Sequence, residues 1–109
     1  MEDIKISDLQ SVLISLSGEL LWTEHVSMQM RERKIKRADV LDCIKNGEII
    51  EQYPNAYPYP ACLISAEIKN GKSIHVVAGI NDNELSIITA YYPSLDKWEN
   101  DYKTRKAGK

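Results

Sequence analysis

The chain holds only two histidines, His25 and His75, and two imidazoles are a familiar acid/base pair near neutral pH. Arg31, Arg33 and Arg105 are the side chains best suited to a phosphate, because guanidinium presents a planar fork of donors that lysine lacks. Tyr91 and Tyr92 add rings that stack on bases or donate a hydrogen bond. Imidazole, guanidinium and phenol are the equipment of phosphodiester chemistry. The alternative for each is structural: a core His75 bonded to a neighbour, a capping His25, and arginines in surface ion pairs.

Other chemistries find less support. Cys43 and Cys62 have no C-x-x-C spacing, and Cys43 falls on an apolar helix stripe, so with two histidines they form no recognisable metal set. No metal or cofactor is expected. There is no G-x-x-x-x-G-K-[ST], G-x-G-x-x-G or G-x-S-x-G, which removes common routes to nucleotide-dependent and serine-hydrolase chemistry.

The elements that must position these residues follow from periodicity. Ser7 reads as the cap of a first helix carrying Leu9, Val12, Leu13 and Leu16, interrupted at Gly18. Thr23 caps a second helix through Arg33, and a third runs from about Arg37 to Asn46 with Gly47 as its stop. The period then turns extended: Glu48 to Tyr53, a tract with Pro54, Pro58 and Pro60, then Ala61 to Ile68, Ser73 to Gly79 and Leu85 to Tyr92. The tyrosines of the proline tract are expected to pack over the sheet edge. Pro93 and Ser94 open a last helix with Leu95, Trp98 and Tyr102 as its apolar stripe. Met28, Met30 and Trp98 read as core. The expected fold class is α+β: N-terminal helices, a four-stranded mainly antiparallel sheet and a C-terminal helix.

Turn chemistry sets a register. A two-residue Asn70-Gly71 turn places Ala66 opposite His75, and a turn on Asp82-Asn83 places Ala90 opposite His75 from the other side. The imidazole would then occupy a notch between two alanines, sharing a face with Ile64, Val77, Ile88 and Tyr92. A phosphate chemistry further requires His25 and His75 to share one cleft.

At 109 residues and 12.4 kDa the chain suits a single domain. Hydrophobic residues at 43% and charged residues at 28% exclude disordered and collagen-like classes. The longest uncharged run, Gln52 to Ala66, carries three prolines, so neither a membrane span nor a signal core is expected, and the location expected is cytoplasmic. A net charge of −2 excludes nucleic-acid binding by bulk charge. Yet five of the seven residues from Arg31 to Arg37 are basic, enough for local phosphate contacts.

The order of motifs resembles a known family. His25, Met30-Arg31-Glu32-Arg33-Lys34-Ile35, Asn46-Gly47-Glu48-Ile49-Ile50, Tyr53-Pro54, Ser73-Ile74-His75-Val76-Val77 and Ile87-Ile88-Thr89-Ala90-Tyr91, with Pro93 and Trp98, resemble domain-of-unknown-function family 4258. Those small bacterial proteins are grouped loosely with RelE-like and MqsR-like toxins of toxin–antitoxin systems. The resemblance covers about residues 22–106, leaving 1–21 as an N-terminal helical extension. It implies a compact toxin-like ribonuclease architecture, RNA as substrate, and an antitoxin protein as partner. By matching position it implies His25, Arg31, Arg33, His75 and Tyr91 as functional residues. The resulting expectation is a metal-independent endoribonuclease with His75 as base, Arg33 and Arg31 as phosphate clamps, His25 or a tyrosine as acid, and Tyr92 and Arg105 as further substrate contacts. The alternative is a non-catalytic interaction module of the same fold.

Overall fold

The computed structural model of the chain describes residues 3–14, 19–68, 71–81 and 84–106. Among these described residues three helices and a five-stranded sheet follow one another as α1 (Ile6–Ile14), β1 (Glu19–Trp22), α2 (Glu24–Arg33), α3 (Arg37–Asn46), β2 (Glu48–Tyr53), β3 (Ala61–Glu67), β4 (Ser73–Asn81) and β5 (Glu84–Tyr91). The strands lie in the order β1-β5-β4-β3-β2; all neighbours are antiparallel except β1, which pairs parallel with β5. The fold is therefore α+β as expected, but with a fifth strand. No described helix is long and apolar enough to cross a membrane.

Two helices begin and end where their punctuation places them. The Thr23 hydroxyl accepts from Val26 N at 3.1 Å, while Lys34 closes α2 in the left-handed region and its N–H turns back to the Arg31 and Met30 carbonyls. In α3 the Asp39 carboxylate accepts from Lys36 N, and the Gly47 N–H reaches the Cys43 carbonyl. A Cβ on Gly47 would collide with that carbonyl and lie 2.7 Å from the Ser65 oxygen, both backbone atoms that cannot swing aside. Gly47→Ala is thus expected to destabilise the fold by roughly 1–3 kcal/mol, read as a lowered denaturation midpoint at unchanged m.

Helices α1 and α3 cover one face of the sheet, where Leu9, Val12, Val40, Cys43 and Ile44 bury against Cys62, Ile64, Ile74, Val76 and Ala90. The Cys43 thiol points at the Ile64 and Ile74 carbonyls, and burial pushes its pKa up to about 12, so it is an inert core group. Met30 and Trp98 are buried as expected, but Met28 is half exposed, and Tyr57 of the proline tract stands out in solvent rather than packing on the sheet.

Two of the expected elements also differ. Leu20 and Trp22 belong to a strand, β1, whose parallel partner lies more than sixty residues away. The helix expected after Pro93 stops after one turn. Lys97 N and Trp98 N reach the Ser94 carbonyl, but the Asp101 carboxylate then captures Lys103 N and Thr104 N, and the chain doubles back so that Trp98 pairs with Arg105. Leu95, meant for the apolar stripe, is exposed.

The register is also displaced. The pair Glu67↔Ser73 and the bond from Ile68 N to the Lys72 carbonyl enclose three residues, 69 to 71, instead of two, with Gly71 at φ 81°. Asn70 itself lies outside the described residues. Asn81 pairs with Glu84, the residues 82 and 83 between them also lying outside the described residues, but Ile88 then bulges out of β5 and moves its far end by one position. His75 consequently stands between Ser65 and Tyr91, not Ala66 and Ala90. A one-residue slip changes face. His75 projects away from Ile64 and the helices, onto the side that residues 93–106 cover.

Candidate functional site

His75 is fully buried between β5 and that C-terminal segment. Its ring meets Trp98 edge-on at 4.6 Å and Tyr91 at 5.3 Å between centroids. The Tyr102 carbonyl lies 2.6 Å from Nε2 and accepts only, so Nε2 carries the proton. Nδ1 is then the acceptor for the Tyr91 hydroxyl at 3.2 Å. Burial pushes the His75 pKa below its usual value near 6.5, against the opposing pull of the Tyr102 carbonyl and Glu51.

Glu51 and Arg105 act on the same ring as nearby charges. Arg105 forks onto the Glu51 carboxylate through Nε and Nη2 and lays its guanidinium 4.6 Å from the Trp98 ring centre. The Tyr53 hydroxyl donates to the same carboxylate. Arg105, above all, holds Glu51 below the usual carboxylate range, while burial and then Glu51 push Tyr53 up to about 12.

Beside these groups opens a cavity of about 520 Å³ lined by Arg33, Tyr91, Tyr92, Pro93, Ser94, Lys97, Trp98 and Arg105. Three of its walls are cations and none is a carboxylate. Arg33 is held there because β1 ends short of the far half of β5, which leaves the Ala90 carbonyl unpaired on that edge. Arg33 Nη1 donates to it at 2.8 Å. Tyr91 is the link between the two regions: its ring lines the cavity while its hydroxyl donates to buried His75. Burial raises the Tyr91 pKa, with Arg105 and Arg33 pulling the other way.

Of the residues singled out from the sequence, Arg33, Tyr91, Tyr92 and Arg105 meet in one cavity with His75 directly behind. Both tyrosines line it, because Tyr91 closes β5 and Tyr92 already lies beyond the strand, where alternation no longer applies. His25 and Arg31 are not brought in. His25 is exposed on α2 and bonds Gln29, which in turn holds Thr89, and Arg31 sits exposed outside the cavity wall. Among the described residues the two imidazoles share no hydrogen-bond partner, His25 bonding Gln29 and His75 bonding Tyr91 and Tyr102, so they are not brought together as a pair. Glu51, Tyr53, Lys97, Trp98 and the Tyr102 carbonyl were missed. Among the described residues no three His, Cys, Asp or Glu side chains gather as a metal site.

A neutral buried imidazole has a consequence for stability. The folded pKa of His75 lies below its unfolded value, so just below pH 6.5 the unfolded chain binds more protons. The contribution is complete above that pH and is lost as pH falls toward the folded pKa. The melting temperature is expected to drop between about pH 7.5 and 5.5, and to drop less in His75→Gln. Equal slopes in the two proteins would contradict a neutral buried ring.

Neither the curated proteins nor the solved structures contain a match to this chain. The cavity and the histidine behind it straddle the end of a recognised segment: Ser94, Lys97, Trp98 and Arg105 lie beyond it, whereas Arg33, His75, Tyr91 and Tyr92 fall inside residues 22–92. Those residues, well over half of the chain, match the family described as Domain of unknown function (DUF4258), and the chain belongs to it.

Proposed function

We propose that the cavity takes an RNA phosphodiester and that the protein is an endoribonuclease of RelE-like toxin type, acting through the ribose 2′-hydroxyl with its own side chains. The observation that carries this reading is Tyr91, which lines a carboxylate-free cationic cavity and whose hydroxyl is hydrogen-bonded to a buried neutral imidazole.

With the phosphate between Arg33, Lys97 and Arg105, Tyr91 Oη takes the 2′-hydroxyl proton while passing its own to His75 Nδ1. The 2′-oxygen bonds to phosphorus and the bond to the 5′-oxygen breaks, with the arginines meeting the charge that develops on the phosphoryl oxygens. The departing 5′-oxygen takes a proton from Lys97 or from water at the cavity mouth. The imidazolium formed behind Tyr91 is stabilised by the Tyr102 carbonyl and the nearby Glu51 charge. Tyr92 offers a ring to an adjacent base. His25 and Arg31 are given no role in this step.

A cytoplasmic enzyme of this kind requires restraint, which is the place for an antitoxin partner. The test is incubation of the purified protein with single-stranded RNA in EDTA at two salt concentrations. Cleavage leaving 2′,3′-cyclic phosphate ends, weakened at high salt, is expected. No cleavage at either salt overturns the enzymatic reading in favour of an interaction module.

A further inference from the structure

The turn at residues 99–104 does for His75 what no sheet residue does: it supplies the only carbonyl bonded to Nε2 among the described residues. Tyr102, whose carbonyl this is, has φ 56°, a left-handed conformation uncommon for a bulky aromatic residue and kept only where the surroundings enforce it. The enforcement is visible. Tyr102 N donates to the Glu99 carbonyl, and on its far side the Asp101 carboxylate receives Lys103 N at 2.9 Å, Thr104 N at 3.0 Å and the Thr104 hydroxyl at 2.8 Å. Glu99 N closes the turn onto the Thr104 carbonyl, and Lys103 ties it to Glu48 on β2.

We infer that Asp101 is a positioning residue: by clasping this turn it aims the Tyr102 carbonyl at His75 Nε2 and so holds the imidazole in the tautomer whose Nδ1 faces Tyr91. The consequence rests on the Tyr91–His75 relay proposed above. If the clasp opens, the Nε2 proton loses its acceptor, the ring samples both tautomers, and in the wrong one Nδ1 carries a proton and can accept none from Tyr91. The residue is exposed and is not one of those that line the cavity.

The test is the ¹⁵N spectrum of the His75 ring at about pH 8, with RNA cleavage measured on the same samples. Wild type should show one tautomer with Nε2 protonated. Asp101→Ala should show the averaged shifts of a mixture and cut RNA roughly tenfold to a hundredfold more slowly, the cost of a misplaced reacting group. Asp101→Asn keeps an oxygen for the two backbone N–H groups, and Tyr102→Gly keeps the carbonyl while suiting the left-handed φ, so both should keep the wild-type tautomer. An unchanged His75 spectrum in Asp101→Ala overturns the proposal. Mixed tautomers in Asp101→Ala, in a protein whose wild type cuts no RNA, uphold the positioning and overturn only the enzymatic reading.

Discussion

Tyr91→Phe is expected to lower RNA cleavage by roughly 10²–10⁴-fold, the range for losing a group that moves a proton in the transition state. Phenylalanine keeps the ring that lines the cavity and loses only the oxygen that joins it to His75. His75 Nδ1, in a ring with no exposed surface, is left without a donor, which costs about 1–3 kcal/mol of stability. The two losses must be read together on one sample. If the hydroxyl merely satisfied a buried nitrogen, the melting temperature would fall and cleavage per folded molecule would stay at the wild-type level.

His75→Ala carries the other large effect, and it falls on stability as well as rate. Truncation opens a hole against the edge of Trp98 and the Tyr91 ring and strands both the Tyr102 carbonyl and the Tyr91 hydroxyl. A loss of about 2–4 kcal/mol follows, roughly 10 °C or more in melting temperature for a domain of this size. Core residue and reacting group are thus not alternatives for this histidine, and Ala alone does not separate them. His75→Gln does. Its amide offers Tyr102 a donor and Tyr91 an acceptor but has no useful basicity, so it should recover much of the stability while cleavage stays down by a factor like that of Tyr91→Phe. A His75→Gln protein cutting RNA at the wild-type rate would remove the imidazole from the reaction.

Much of this arrangement is legible in the chain where the signals are local. Thr23 and Gly47 punctuate α2 and α3, and the extended runs of β2 to β5 are bounded by proline, glycine and asparagine near the observed ends. What escapes is set by distance. Four residues, Glu19–Trp22, are too few to display alternation, and they become a strand only because the edge of β5 is open to them. The bulge at Ile88 has no residue-level marker, yet with the longer Gly71 turn it moves His75 to the other face. The same displacement decides the site. Arg33, His75, Tyr91 and Arg105 were nameable from residue chemistry, but Glu51 and Lys97 gain meaning only once the C-terminal segment folds back across β4 and β5. Asp101 was the one local hint that it would, since a short side chain that accepts from nearby backbone N–H groups competes with a helix. His25 sits on α2 like Arg33, but eight residues earlier, at the end that leads away from the cavity.

The central claim, that Tyr91 and His75 act on an RNA 2′-hydroxyl held in the cationic cavity, is tested most directly by one comparison in EDTA. An RNA oligonucleotide and its 2′-deoxy counterpart of the same sequence are incubated with the purified wild-type protein, and strand scission is followed over time. The account predicts that the ribo strand is cut to 2′,3′-cyclic phosphate ends while the deoxy strand, lacking the attacking oxygen, binds but stays whole. Equal cutting of both strands, or of neither, would contradict it.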